Sequence, residues 1–170
     1  PEAVEEPDFS AAIAVNARAV ADELRAKAGM TVGALAVDMH DESATLLADL
    51  DVVLDSQAIG SKEMFSGHVR VRNIGAISWS LVESPVGVVN LGAHLLNEHE
   101  TAVVAFDFLR HRIDVPPRAS VAPGEELEFA IEFSPPVYGR YVLEFDLVCE
   151  MACWFARNGS ATVRVPITVM

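Results

Sequence analysis

The segment from Glu150 to Asn158 brings together the side chains that a sugar-binding site needs. A sugar ring presents apolar C–H faces and a rim of hydroxyls, so its site requires an exposed aromatic ring flanked by planar polar groups. The candidates in the segment are Glu150, Trp154, Phe155, Arg157 and Asn158. Because neighbouring residues of a strand alternate between faces, one of the two aromatic rings should enter the core while the other faces outward. The segment predicts a sugar-binding surface, and burial of Trp154 in the core is the structural alternative.

Arg70 and Arg72 are a second pair of candidate binding residues. They lie two residues apart in a segment that alternates apolar and polar side chains, so they should share the solvent face of one strand. Guanidinium groups there could bind sugar hydroxyls or a phosphate. Pairing with glutamates of a neighbouring strand is the competing interpretation.

Other combinations of reactive side chains do not predict an enzyme. His94 and His99 flank a polar turn that contains two glutamates, where surface histidines are favoured over an opportunistic metal site. Asp146 and Glu150 are four residues apart along a strand, which fixes no acid/base pair, so Asp146 should bond a loop or pair with an arginine. The sequence has neither a phosphate-binding glycine loop nor a Gly-x-Ser-x-Gly turn. We therefore expect no catalytic residue, no metal and no cofactor.

The two cysteines, Cys149 and Cys153, are predicted to be small apolar packing groups. Four residues span roughly 13 Å on one straight strand, which is beyond the reach of a disulfide. A bulge could bring the pair closer, but a disulfide framework is not expected, and a reducing, cytoplasmic location fits the sequence. A lone Cys-x3-Cys without a second ligand pair does not predict zinc.

Charge and hydropathy exclude two classes of partner. The chain has 12 Lys+Arg against 25 Asp+Glu, a formal net charge of −13. Such a field repels nucleic acids and anionic membranes, so no nucleic-acid partner is expected. No apolar run approaches the ~20 residues that a membrane-spanning helix needs. The positive mean hydropathy therefore indicates buried strands.

From Asp51 onward the sequence pattern has a period of two, which is typical of strands. The candidate strands are Val52–Gln57, Phe65–Arg72, Ile77–Ser80, Val86–Leu96, Ala102–Leu109, Glu126–Phe133 and the two strands of a closing hairpin, Gly139–Met170. Asn158-Gly159 is a short hairpin signal, and Pro166 places the last strand at an edge or a bulge. About seven strands without alternating helices predict an antiparallel, immunoglobulin-like β-sandwich.

The sequence before the sandwich is predicted to be helical. Residues 1–7 form an acidic linker, and Asp8 or Ser10 can cap a helix that ends near Gly29. Its narrow apolar stripe consists of Ile13, Ala17, Val20, Leu24 and Ala28. Residues 30–50 are ambiguous: Thr31–Met39 alternates weakly like a strand, whereas Asp41–Leu50 is typical of a short capped helix. The predicted organisation is a linker at 1–7, a helical segment at 8–50 and a β-sandwich at 51–170.

Residues 62–170 contain four short motifs, which are roughly Asn-x-Gly-x-x-x-Trp, Pro-Gly-Glu, Gly-x-Tyr-x-Leu and Asp-Leu-Val-x-Glu-x-x-x-Trp-Phe. Their positions are Asn73, Gly75, Trp79, Pro123, Gly124, Glu125, Gly139, Tyr141, Leu143, Asp146, Leu147, Val148, Glu150, Trp154 and Phe155. In these motifs the segment resembles small β-sandwich domains of bacteria that are appended to enzymes of cell-surface polysaccharide synthesis, such as glycosyltransferases and sugar-modifying methyltransferases. In architecture the domain is similar to the C-terminal polysaccharide-recognition domain of O-antigen exporter ATPases, and distantly to the FW-type sandwich of autophagy cargo receptors. Met151 departs from the pattern, since a glycine is expected there.

The resemblance implies a non-catalytic accessory domain that recognises a glycan or polysaccharide chain in bacterial cell-surface polysaccharide biosynthesis or export. Its expected partners are that glycan and the enzyme or transporter domain to which it is attached. The alternative is a structural or oligomerisation module, with the helix at 8–28 and an edge strand forming a homodimer.

Overall fold

The alternation of apolar and polar residues corresponds to seven long strands in the computed structural model, which describes residues 45–170. The strands are β1 (Ala48–Leu54), β2 (Ala58–Ile59), β3 (Phe65–Asn73), β4 (Trp79–Ser80), β5 (Val89–Asn97), β6 (Val103–Arg112), β7 (Ser120–Val121), β8 (Glu126–Phe133), β9 (Gly139–Cys149), β10 (Cys153–Trp154) and β11 (Val163–Val169). A 3-10 helix at Phe155–Asn158 follows β10 directly. Within residues 45–170, no helix is long and apolar enough to cross a membrane.

The strands form two main sheets. The first has the order β1-β3-β8, and the second has the order β2-β11-β9-β5-β6, with β10 beside β9. A small ladder joins β4 to β7. The first, second and fifth long strands therefore lie in one sheet and the other four lie in the second, which is the strand order of an immunoglobulin-like sandwich. The predicted fold class of the sandwich is confirmed.

The inward-facing residues of both sheets meet in one apolar core. In β3 and β8 every second side chain is buried, as the alternation predicts. Phe65 stacks on Phe133 with ring centroids 5.3 Å apart, and Phe133 meets Phe145 of the opposite sheet edge-on at 6.4 Å. The outer faces of the sheets are thus left to carry polar or binding groups.

The first strand begins earlier than the sequence pattern predicts. Ala48–Leu54 pairs with β3 along its whole length, so a helix over Asp41–Leu50 is wrong for the part that the structure describes. The strand pairing outweighs the local preference of the leucines for helix, because propensity is a weak guide beside tertiary contacts. The linker at 1–7, the helix at 8–28 and the segment Thr31–Met39 lie outside the described residues.

The closing hairpin exists, but its connection is long. β9 and β11 pair antiparallel from Phe145↔Val163 to Gly139↔Val169, and residues 150–162 between them hold β10 and the 3-10 helix. Gly159 ends that helix in a left-handed conformation, with φ of 102°. The prediction that Asn158-Gly159 forms a two-residue hairpin turn is therefore wrong. The edge prediction for Pro166 holds, since β2 pairs with β11 only at residues 168–169.

Several signature residues have structural roles. Asn73 is fully buried, where its Nδ2 donates to the carbonyls of Ile77 at 2.8 Å and Val121 at 2.9 Å. Its Oδ1 accepts the N–H of Gly75 at 3.0 Å. The asparagine thus joins the turn after β3 to β7. A buried amide with three partners holds the fold together and offers nothing to a ligand.

Tyr141 and Trp79 also serve the fold. The Tyr141 hydroxyl donates to the carbonyl of Tyr138 at 3.4 Å. This bond to an earlier residue, near the start of β9, is typical of a tyrosine corner. Trp79 is 1% exposed and lies in the core. Its ring meets that of Phe155 edge-on, with centroids 5.4 Å apart.

A sharp turn follows β9 and overturns the straight-strand picture of the cysteines. The chain reverses at residues 150–152, so Cys149 and Cys153 are direct partners of an antiparallel pair. The N–H of Ala152 donates to the carbonyl of Cys149 at 3.0 Å. Met151, at the position where the signature has glycine, has a left-handed φ of 59°. The turn that the glycine would favour is therefore formed with a methionine in its place.

Candidate functional site

Two neighbouring aromatic residues, Trp154 at the end of β10 and Phe155 at the start of the 3-10 helix, lie on opposite sides of the second sheet. Phe155 is 0% exposed and belongs to the core, whereas Trp154 is half-buried. Trp154 pairs with Val148, which points away from the core because its neighbours in β9 point inward. The prediction that one ring faces inward and the other outward is confirmed.

The indole of Trp154 lies across Gly92 of β5. A Cβ atom at position 92 would stand 2.5 Å from Cη2 and 2.6 Å from Cζ3 of the indole, far inside van der Waals contact. A side chain there would therefore lift the ring from the sheet. The glycine that interrupts the apolar pattern of β5 provides the space for Trp154.

A bulge in β6 brings another aromatic ring to the same place. His94 of β5 faces three residues, 106–108, because the register shifts between the flanking pairs. Asp107 has a left-handed φ of 56°, and its N–H donates to Nδ1 of His94 at 3.1 Å. Bulges re-aim side chains, and this one places the Phe106 ring on that of His94, with centroids 4.2 Å apart and planes inclined by 19°.

His94, Phe106 and Trp154 together form what we call the aromatic platform. The Trp154 ring is 4.3 Å from His94 and 5.8 Å from Phe106, measured between centroids. Phe106 is 64% exposed, so the platform ends in a ring whose surface faces solvent. The platform therefore presents an exposed aromatic surface on the outer face of the second sheet.

Arg110 packs against Trp154 and is itself bonded to Glu150. The Arg110 guanidinium carbon lies 4.9 Å from the centre of the indole, within cation–π distance. Arg110 donates to Asp107 at 2.7 Å and to Glu150 at 3.2 Å. Glu150 also accepts from Asn90 Nδ2 at 2.7 Å. This carboxylate therefore fixes the platform and is already engaged within the protein.

The platform forms one wall of an open depression of about 600 Å³, which we call the Trp154 groove. The groove is lined by His94, Phe106, Glu144, Asp146, Trp154, Ala156, Arg157, Ser160, Ala161 and Thr162. Its second wall comes from the connection between β9 and β11 and supplies hydroxyl and guanidinium groups. Aromatic and polar side chains thus face one shared space.

Asp146 stands at the floor of the groove and fastens the 3-10 helix. Its carboxylate accepts the N–H of Leu147 at 2.8 Å and the N–H of Ala156 at 2.9 Å. Burial raises the pKa of the Asp146 carboxyl, while the two backbone N–H groups act in the opposite direction. The prediction that Asp146 bonds a loop is confirmed.

Glu144 carries the ion pair at the rim. Its Oε1 accepts from Nη2 of Arg164 at 2.8 Å and from the Thr162 hydroxyl at 3.2 Å. Arg164 also donates to Glu100 at 2.6 Å. The arginine thus offsets part of the negative charge beside the groove.

The surroundings of His94 favour its neutral form. Burial lowers the pKa of its imidazole, and Arg110 acts in the same direction, while Glu144 and Asp107 oppose the change. A neutral ring suits the hydrogen bond from Asp107, because Nδ1 must keep its lone pair to accept it.

Of the residues predicted from sequence, three meet at this surface. Trp154 and Arg157 line the groove, and Glu150 supports it from behind. Phe155 is a core residue and is not available to a ligand, which corrects its assignment. Asn158 donates its amide to the carbonyl of Leu46 at 3.2 Å and so ties the 3-10 helix to the chain before β1.

Arg70 and Arg72 do not join the groove. They lie on the outer face of the first sheet, because β3 buries the residues between them. Arg70 pairs with Asp51 of the neighbouring strand at 3.5 Å. This agrees with the competing interpretation of strand-to-strand pairing, although the partner is an aspartate.

Sequence reasoning missed Phe106, and it interpreted His94 as a surface histidine of a polar turn in preference to a metal ligand. The alternation in Ala102–Leu109 did not indicate the bulge. The contact between His94 and Trp154 could not be predicted either, because the two residues are far apart in sequence. His99 pairs with the adjacent Glu98 at 3.3 Å instead of joining His94. Within residues 45–170, no group of three or more His, Cys, Asp or Glu side chains is placed to hold a metal ion.

Comparison with known proteins gives structural likeness alone. No family model and no curated protein matches the chain. A CARDB domain from Pyrococcus furiosus, in complex with di-metal ions, is 13% identical, with a TM-score of 0.43 over 74% of this chain and 94% of that one. The sporulation control protein of Bacillus subtilis is 18% identical, with a TM-score of 0.41 over 72% of this chain and 49% of that one. A cycloisomaltooligosaccharide glucanotransferase of Paenibacillus, complexed with cycloisomaltoheptaose, is 15% identical, with a TM-score of 0.43 over 74% of this chain and 14% of that one.

Proposed function

We propose that this β-sandwich is a non-catalytic domain that recognises a glycan chain in the Trp154 groove. The observation that carries the proposal is the aromatic platform beside a polar wall: Phe106 offers an exposed ring, and Arg157 and Thr162 stand across the groove. A sugar would stack its C–H face on Phe106 and direct its hydroxyls at the polar wall.

The class of glycan follows from the resemblance described above. The matching domains accompany enzymes and exporters of bacterial cell-surface polysaccharides, so the proposed ligand is a segment of such a polysaccharide and the proposed location is the cytoplasm. The partner in the same chain or complex would be a glycosyltransferase, a methyltransferase or a transporter ATPase.

Binding to an array of bacterial polysaccharides, followed by calorimetry with the best ligand, tests this function. The variant Phe106→Ala should bind about tenfold more weakly, because losing one aromatic stacking partner costs about 1.4 kcal/mol. Arg72→Ala, on the other sheet, is the matched control and should bind like the wild type. Absence of binding across the array, or unchanged affinity of Phe106→Ala, would overturn the proposal.

The second candidate is an oligomerisation module, which the edge of the second sheet favours. Among the described strands, β6 ends the sheet and exposes Val103, Val104 and Phe106, each more than half accessible. These exposed apolar side chains offer a surface that a second copy of the domain can cover. Light scattering separates the two functions: a dimer that Val104→Lys converts to a monomer supports the module, whereas a monomer that binds glycan supports the first proposal.

A further inference from the structure

Cys149 and Cys153 are placed opposite each other by the turn at residues 150–152. They are direct partners in the ladder between β9 and β10. Direct partners of an antiparallel pair have their side chains on the same face and their Cα atoms about 4.5–5.5 Å apart. A disulfide needs Cα atoms about 4.4–6.8 Å apart, so both ladder distances fall within its range.

Both sulfurs are free thiols, and they differ in exposure. Cys149 is buried, at 7% exposed, whereas Cys153 is half-buried at the start of β10. The Cys153 sulfur lies 3.6 Å from Nδ2 of Asn158, which keeps it beside the turn. A reagent from solution therefore reaches Cys153 first, and Cys149 is the neighbouring thiol that can follow.

We propose that Cys149 and Cys153 form a redox-active pair, which low-molecular-weight disulfides such as oxidised glutathione convert to an intramolecular disulfide. Cys153 loses its proton to solvent and attacks one sulfur of the reagent, which expels one thiolate and leaves a mixed disulfide. The deprotonated Cys149 then attacks the Cys153 sulfur and expels the second thiolate. Two protein thiols are oxidised, one reagent disulfide is reduced, and the two protons pass to the expelled thiolates.

The environment of the thiols makes the reaction slow at neutral pH. Burial raises the pKa of Cys149 to about 11, and the neighbouring Cys153 and Glu150 act in the same direction. Burial also raises the pKa of Cys153, although the Asn158 amide opposes this. Because the thiolate is the nucleophile, oxidation should accelerate as the pH rises above neutral and the thiols lose their protons. The pair would respond to sustained exposure to disulfide and not to a brief pulse.

Oxidation would join the two residues that come directly before Glu150 and Trp154 in sequence. The bond would therefore fix the turn that contains Glu150 and the start of β10, which contains Trp154. This inference concerns the turn alone and does not depend on what the Trp154 groove binds.

Equilibration of the folded full chain in glutathione buffers, followed by alkylation and mass spectrometry, tests the pair. We expect one intramolecular disulfide, with an equilibrium constant at least tenfold larger in native buffer than in concentrated urea, because the ladder holds the thiols in register. By linkage, the oxidised chain should then resist unfolding by at least about 1.4 kcal/mol more than the reduced chain.

The double variant Cys153→Ala with Ala152→Cys is the matched control, since it moves the thiol out of register by one residue. Its equilibrium constant should be no larger in native buffer than in urea. The proposal fails if the wild type gives only mixed disulfides with glutathione, or if its constant in native buffer does not exceed that in urea. The wild-type comparison needs no substitution, so it remains decisive even if the control variant does not fold.

Discussion

The missing side chain at Gly92 allows the indole of Trp154 to lie against the sheet. A glycine inside a strand costs conformational entropy and packs nothing of its own, so it marks a close approach by another group. In the sequence, Gly92 interrupts the apolar residues of the candidate strand Val86–Leu96. Alternation along the strand could predict that one of Trp154 and Phe155 faces outward. Alternation could not show that Trp154 is the residue that faces outward. Which face each residue of β10 occupies depends on how β10 pairs with β9 after the turn.

We expect Gly92→Ala to displace Trp154 and to cost about 1–3 kcal/mol of unfolding free energy, as overpacking does elsewhere. In a Trp154→Ala background the same substitution should cost less than about 0.5 kcal/mol, since the clash is gone. Urea denaturation of the four chains in this double-mutant cycle measures the coupling. Additive effects would show that the two residues do not compete for the same space.

His94 should make stability depend on pH. Its pKa in the folded chain lies below the ordinary value of 6.5, so the unfolded chain binds the proton more readily. The stabilising contribution is complete above the unfolded pKa and is lost as the pH falls through the folded pKa. Between about pH 7.5 and about pH 5, the wild type should therefore lose more unfolding free energy than His94→Gln. Urea titrations of wild type and His94→Gln at both pH values measure these losses of unfolding free energy. His68→Gln, on the other sheet, is the control. Equal losses in wild type and His94→Gln would contradict the prediction.

At the scale of elements, the strands could be predicted because burial on one face imposes a period of two. The alternation of buried and exposed residues is unbroken in β3 and β8, and the sequence predicted both strands. The two features that build the groove are departures from that period. The bulge at 106–108 and the turn at 150–152 each use a non-glycine residue with positive φ, Asp107 and Met151, and no local sequence signal marks either. The resemblance pointed to the turn only through the glycine that this chain lacks.

Met151→Gly should stabilise the protein by about 0.5–1 kcal/mol. The left-handed conformation costs an ordinary residue roughly 1–2 kcal/mol, and part of this gain is offset by the greater freedom of glycine in the unfolded chain. The methionine side chain is 80% exposed, so its removal costs little packing. Chemical denaturation gives the change. Ala152→Gly, next to it but without a positive φ, is the control and should destabilise by about 0.5–1 kcal/mol.

At the scale of the whole sandwich, the two faces of the second sheet have different surroundings. The inner face of the second sheet belongs to the shared core, while its outer face carries the Trp154 groove. The sequence allowed the two-sheet architecture to be predicted, because about seven strands must bury their apolar faces on one another. The outer-face surface required knowledge of which strands are neighbours, since β5, β6 and β10 meet there from distant parts of the chain.

Neighbouring substitutions on β10 and the 3-10 helix should reveal this separation. Phe155→Ala is expected to cost about 3–5 kcal/mol of unfolding free energy, since it leaves a cavity beside Trp79. Trp154→Ala should cost less than about 2 kcal/mol, because its ring lies on the outer face of the sheet and is partly exposed. Calorimetric melting measures the loss of unfolding free energy for both variants. If Phe155→Ala does not fold, Phe155→Leu replaces it and should cost less than about 2 kcal/mol. Equal losses for both alanine variants would contradict the division.

The bulge in β6 also affects how the protein behaves at high concentration. A regular edge strand is a template on which a straight strand of another molecule can pair residue by residue, the first step of edge-to-edge aggregation. Among the described strands β6 ends its sheet, yet its register shifts twice beside β5. An incoming straight strand would lose its hydrogen bonds at residues 106–108, where the register of β6 shifts. Straightening β6 by removing the bulge would then be expected to make the protein more prone to aggregate as well as to dismantle the platform.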